Sequence, residues 1–134
     1  MRAAAAGLVL GLLLAACGNT AQADNAAIAA DFEAHKSSVE VTAEGTVVRV
    51  LSDQAGPSGR HERFIIRLAG QDLTIEIEHN VSIASRVPVK TGDHLIVHGE
   101  YVWNAQGGLI HFTHHDPQGS HEAGYVIDNG NRYD

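Results

Sequence analysis

From Val39 onward the chain alternates apolar and polar side chains, and this period of two limits what it can become. In LTIEIEH, residues 73–79, Leu73, Ile75 and Ile77 fall on one side and Thr74, Glu76 and Glu78 on the other. Such a stretch buries one face only as a β-strand, because a helix would spread the same residues around its circumference. VEVTAEGTVVRVL (39–51), HERFIIRL (61–68), HLIVHGEYVW (94–103) and GLIHFTHH (108–115) read the same way, with Gly45 as a bulge or bend in the first. Loops separate them: SDQAGPSGR, then AGQD, then residues 80–93 with Pro88 and a Gly92-Asp93 turn, then a hairpin connection across 104–108. Before the strands, AAIAADFEAHK sets Ile28, Phe32 and His35 at helical spacing, with Asp24 or Asn25 as the cap.

Five strands with the longest break between the third and fourth predict a mainly β fold. The expected form is a small five-stranded OB-like Greek-key barrel with a short N-terminal helix. An open five-stranded barrel of another topology is the competing arrangement. No repeat or second domain is visible, and about 100 folded residues suit one small domain. Residues 26–134 are therefore expected to form that domain and to end in an irregular C-terminal tail.

Arg2 and the uncharged run AAAAGLVLGLLLAA, residues 3–16, have the layout of an export signal and are too short to cross a bilayer as a stable helix. Leu14-Ala15-Ala16-Cys17 matches a bacterial lipobox, so residues 1–16 are expected to be removed and Cys17 to carry lipid. Residues 17–25 would then be a lipidated tether and the membrane a partner. Gly18 after the cysteine, rather than aspartate, fits an outer-membrane lipoprotein facing the periplasm. Plain secretion after Ala21-Gln22-Ala23, giving a soluble periplasmic or secreted protein, is the alternative. Cys17 is the only cysteine, so no intramolecular disulfide can form and the core must hold the domain together.

Loss of Arg2 with the leader leaves eight basic against sixteen acidic side chains, a formal charge of −8. That balance carries no strong nucleic-acid signature, because a sequence-independent grip on phosphates needs a basic face. Nine histidines offset most of this charge on mild acidification, so the protein approaches neutrality near pH 5.

Several blocks stand out together: Arg60-His61-Glu62-Arg63-Phe64-Ile65, His79-Asn80, Gly92-Asp93, Gly99-Glu100-Tyr101-Val102-Trp103-Asn104, and Gly107-Gly108-Leu109-Ile110-His111 running into Thr113-His114-His115-Asp116-Pro117, with Gly119, His121, Gly124 and Tyr125 beyond. In this combination they resemble the bacterial family known as domain of unknown function 3465. The likeness spans roughly residues 43–133. The family pattern has glutamine where this chain has Glu62 and tryptophan where it has Phe112 and Tyr125. The resemblance implies an exported single domain and implies no reaction.

The histidine-rich stretch raises the question of chemistry. Alternation puts His111, Thr113 and His115 on one face of the last strand and Ile110, Phe112 and His114 on the other. Pairing Trp103 with Leu109 would set His98 opposite His114, while His79 closes the apolar face of the third strand. His79, His98 and His114 are thus expected to converge at one end of the barrel. The candidate metal ligands are His79, His98, His111, His114, His115, Asp116 and His121, and the expected ion is zinc or another divalent transition metal. The spacing matches no established metal motif, so hydrogen bonding around a tight corner is the competing role for these imidazoles, and metal-free acid/base catalysis a third.

Arg60, His61, Arg63 and Arg67, with Tyr101 and Trp103 as a stacking platform, are candidates for binding an anion or substrate. Cross-strand pairing of the arginines with Glu76 and Glu78, and core packing of Trp103, are the structural alternatives. Two functions follow. One is a membrane-anchored envelope binding module with a metal-holding histidine site, whose ligand is a small anion, a glycan or a nucleic acid. The other is a metal-dependent phosphodiester hydrolase that adds Arg60, Arg63 and Arg67 to the cluster. Whether the protein is an enzyme stays open at this point, although no Gly-x-Ser-x-Gly is present and Cys17 is committed to lipid.

Overall fold

A computed structural model describes residues 20–134, so the export signal, Cys17 and the first part of the tether lie outside the described residues. One helix, α1 (Asn25–Glu33), precedes seven strands: β1 (Val39–Gly56), β2 (Gly59–Leu68), β3 (Thr74–Asn80), β4 (His94–Val102), β5 (Leu109–His111), β6 (Tyr125–Asp128) and β7 (Asn131–Tyr133). Helix α1 begins where expected, with the Asp24 carboxylate accepting from the Ala27 amide at 3.0 Å. Ile28 is its buried anchor, at 1% exposure.

The first five strands close a ring in the order β1-β2-β3-β5-β4-β1, antiparallel throughout except for the parallel β3–β5 pair. This is the strand order of an OB-like barrel, and it is mainly β as the alternation predicts. Inside the ring lie Ala43, Val47, Phe64, Ile66, Leu68, Ile75, Ile77, Leu95, Val97, Tyr101 and Ile110, with Val87 from the β3–β4 connector. The 18-residue β1 serves two partners, β4 with its first half and β2 with its second. It changes partner at Gly45, which pairs with both Leu68 and Leu95. The irregularities in β1 lie elsewhere than Gly45, at Val47/Arg49 and Leu51/Gln54.

Three expectations need correction. The β4–β5 register is Val102 with Leu109 and Glu100 with His111, one residue away from the Trp103–Leu109 pairing. Alternation in β5 stops at His111, because Phe112 adopts φ +53 and leaves the extended backbone on which alternation depends. Thr113 and His114 are then both buried, instead of pointing to opposite faces. Finally, the C-terminal segment is a hairpin rather than an irregular tail. Asn129 and Gly130 both have positive φ, at 48° and 87°, as a two-residue type I′ turn requires. Strand β6 pairs with β4 outside the ring, setting Tyr125 opposite His98.

Candidate metal centre and the histidine cleft

His98 stands on the outer face of β4, between β1 and β6. Its neighbours across the sheet are Thr42 on one side and Tyr125 on the other. The Thr42 hydroxyl lies 2.7 Å from Nδ1, and the Tyr125 ring stacks on the imidazole at 5.3 Å with planes 16° apart. Both contacts fix the ring and leave Nε2 pointing at carboxylates: Glu122 at 3.3 Å and Glu40 at 3.7 Å. One donor atom from each of Glu40, His98 and Glu122 lies within 4.8 Å of the others, so this group can hold a metal ion.

The electrostatics of the group favour a cation. Glu40 sits directly opposite Glu100 on the neighbouring strand, a like-charge cross-strand pair that opposes folding. Burial raises the Glu40 carboxyl above its usual range, and the charges of Glu122 and Glu100 add to the rise. Glu100 in turn meets His111 Nε2 at 3.3 Å. His98 itself is only 11% exposed, whereas the Glu122 side chain is 58% exposed, so the site meets solvent on the Glu122 side.

A second neighbourhood forms where the β1–β2 hairpin tip meets the segment after β5. There a cleft of about 360 Å³ is lined by His61, His111, Phe112, His114, His121 and Ile83, among others. Asp116 organises its far wall. Its carboxylate accepts from the Ser120 hydroxyl and from the amides of Gln118, Ser120 and His121, bonds that hold it well below the usual carboxylate range. Phe112, in its left-handed conformation, is stacked between His111 at 4.0 Å and His121 at 4.1 Å. His114 and His121 meet edge to face at 5.1 Å, and each uses Nδ1 on a backbone carbonyl, His115 O and Glu122 O respectively, both at 2.7 Å.

The expected meeting of His79, His98 and His114 does not occur. His79 is fully buried and spends both ring nitrogens, Nδ1 on the Thr113 hydroxyl at 2.8 Å and Nε2 on Ser85 O at 3.0 Å. It is therefore a structural clamp between β3, its connector and the end of β5. Burial lowers the basicity of His79, as it does that of His114, whose ring is 6.4 Å away. His98 faces outward on β4, and the register explains why: its row carries His94, Ile96 and Glu100, while Leu95, Val97 and Tyr101 fill the ring. His115 is exposed and offers the cluster only its carbonyl.

The arginine candidates are dispersed. Arg63 pairs with Glu76 at 3.0 Å and donates to Ser52 O, Arg67 meets Asp72 at 3.5 Å near the opposite end of β2, and Arg60 is exposed at the hairpin tip. Pairing with Glu76 is the alternative that alternation offered; the Asp72 partner was not foreseen. Tyr101 is fully buried, donating its hydroxyl to Gly107 O, so it offers no stacking surface. Trp103 packs against the core and His35, 4.1 Å between ring centres.

Two ligand candidates were missed, Glu40 and Glu122. Glu40 stands in the outward row of β1, but only the pairing of β1 with β4 brings it to His98. Glu122 lies in a stretch without regular structure, and no periodicity marks it. A family model described as "Protein of unknown function (DUF3465)" matches residues 10–134, nearly the whole chain. No curated protein and no solved structure matches it.

Proposed function

The chain belongs to the family described as protein of unknown function DUF3465, and from that premise and the geometry above we propose that it is an envelope-anchored, OB-like binding module holding a divalent transition metal ion between Glu40, His98 and Glu122. The observation that carries the reading is the mutual approach of these three donors, within 4.8 Å, around an imidazole whose orientation is already fixed. Three protein ligands with remaining positions open suit zinc or a similar ion that also takes water or an incoming ligand. Thr42 supports the same reading, since a ligating imidazole commonly has its second nitrogen hydrogen-bonded to an oxygen that sets its tautomer. The hydrolase alternative finds less support, because Arg63 is neutralised by Glu76 and Arg67 is turned to Asp72. Anchoring rests on Leu14-Ala15-Ala16-Cys17.

Metal analysis of the purified mature protein tests the site. One equivalent of zinc or a related ion is expected, lost in His98→Ala and in Glu122→Gln while the far-ultraviolet circular dichroism stays unchanged. A wild-type protein that takes up no stoichiometric metal would refute the reading. Cys17→Ser should release the protein from the membrane fraction, and retention there would remove the lipid anchor.

A further inference from the structure

Two partners fix the ring of His98: the Thr42 hydroxyl, 2.7 Å from Nδ1, and the Tyr125 ring, stacked at 5.3 Å. They belong to β1 and β6, the strands on either side of β4, and each stands directly across from His98 in the sheet. The chain entering the domain ahead of α1 bonds to both. The Ala21 amide donates to the Tyr125 hydroxyl at 2.9 Å, and the Asp24 amide donates to the Thr42 carbonyl at 3.0 Å. The reach matches: three extended residues span about 10 Å, which is also the width of two inter-strand spacings. Gln22, between the two bonds, lines a cavity of about 270 Å³ together with Glu40, Thr42 and His98. Residues 21–24 therefore cross the sheet beside the imidazole as a strap, tied down on both of its flanks.

We propose that this strap is a positioning element of the metal group, so that ion binding and docking of residues 21–24 reinforce one another. The proposal rests on the Glu40–His98–Glu122 reading. An ion on Nε2 holds the His98 ring in one orientation, the same in which Thr42 and Tyr125 receive the strap. Whatever factor the docked strap adds to ion affinity, the bound ion must add to docking. Groups that orient a ligating imidazole are worth about ten- to a hundredfold in affinity, which sets the scale. The strap itself is held by two main-chain amide bonds, each of modest net worth, so it opens far more readily than the barrel. Cys17 stands four positions before Ala21, so a pull on the start of the chain reaches the ion site through the strap.

Two substitutions delete the same hydrogen bond from opposite ends. Tyr125→Phe removes the accepting hydroxyl and keeps the ring that stacks on His98. Ala21→Pro removes the donating amide and leaves Glu40, His98, Glu122, Thr42 and Tyr125 unchanged. Zinc affinity of the purified mature protein, measured by chelator competition, should fall about tenfold in each, with the circular dichroism unchanged. In wild type, hydrogen exchange at the Ala21 and Asp24 amides, followed by nuclear magnetic resonance, should slow by a like factor when zinc is added. Affinity that holds in both variants, or falls in only one, overturns the strap's role, as does exchange that zinc leaves unaltered. Those results leave the Glu40–His98–Glu122 reading standing, because zinc is still bound. Absence of zinc uptake by the wild type removes both.

Discussion

Glu62 belongs to the inward row of β2, beside Phe64, Ile66 and Leu68, and is 4% exposed. Its carboxylate accepts from the Val87 amide at 2.6 Å and meets Arg86 at 3.3 Å, yet burial outweighs both and pushes its pKa up to about 7 from 4.5. A carboxyl group raised on folding binds more protons in the folded than in the unfolded chain. Its contribution is therefore present in full below pH 4.5 and is lost as the pH rises towards and through 7. A rise of that size corresponds to about 3 kcal/mol, of which roughly 2 kcal/mol falls between pH 5 and pH 8. Glu62→Gln keeps an oxygen for the Val87 amide and removes the charge. Loss of the Arg86 contact should cost little, because that guanidinium is half exposed. Urea unfolding of wild type and Glu62→Gln at pH 5 and pH 8 isolates the effect, since histidine titrations common to both cancel in the difference. The variant should gain roughly 2 kcal/mol on wild type over that interval. A stability difference that stays constant from pH 5 to pH 8 would refute the argument. His79 works in the opposite direction: burial lowers its pKa below 6.5, so stability falls as the pH drops from 6.5 towards the folded value. Between pH 4.5 and 6.5 the two slopes oppose one another, and Glu62→Gln should expose the histidine slope that wild type conceals.

Two glycines of similar φ separate strain from space. Gly130→Ala at φ +87, with nothing nearby, should cost about 1 kcal/mol from backbone strain alone and lower the melting temperature by a few degrees. Gly108→Ala at φ +88 would drive its Cβ into the Tyr101 ring and should cost several times as much by the same melt. Thr42→Val leaves the three proposed ligands in place but removes the oxygen on His98 Nδ1. Metal affinity measured by competition with a chelator should fall ten- to a hundredfold, and an unchanged value would show that Thr42 does not orient the ligand.

Strand positions were legible because burial of one face writes itself into a single strand, as in Ile75 and Ile77 against Glu76 and Glu78. The candidate site was not, because Glu40, His98 and Glu122, from β1, β4 and the segment after β5, meet through register, which no strand carries by itself. A slip of one residue between Val102 and Trp103 was enough to misplace His98 relative to His114. Phe112 broke the alternation by a backbone turn that its side chain does not announce. The β6–β7 hairpin is a different case: Asn129-Gly130 between YVID and NRY is a strong local turn signal, and the segment was legible all along. Glu62 could also have been found, since extending the Phe64–Ile66–Leu68 row back by two places points it inward.

The Tyr125 hydroxyl, which accepts the Ala21 amide at 2.9 Å, moors the start of the described chain to the same ring that stacks on His98. Only three residues separate that mooring from Cys17, so an acyl group there would leave the domain at most four residue steps, about 14 Å, of slack. An acylated chain would ride against the headgroups instead of ranging above them, with the flank that carries His98 turned towards the bilayer.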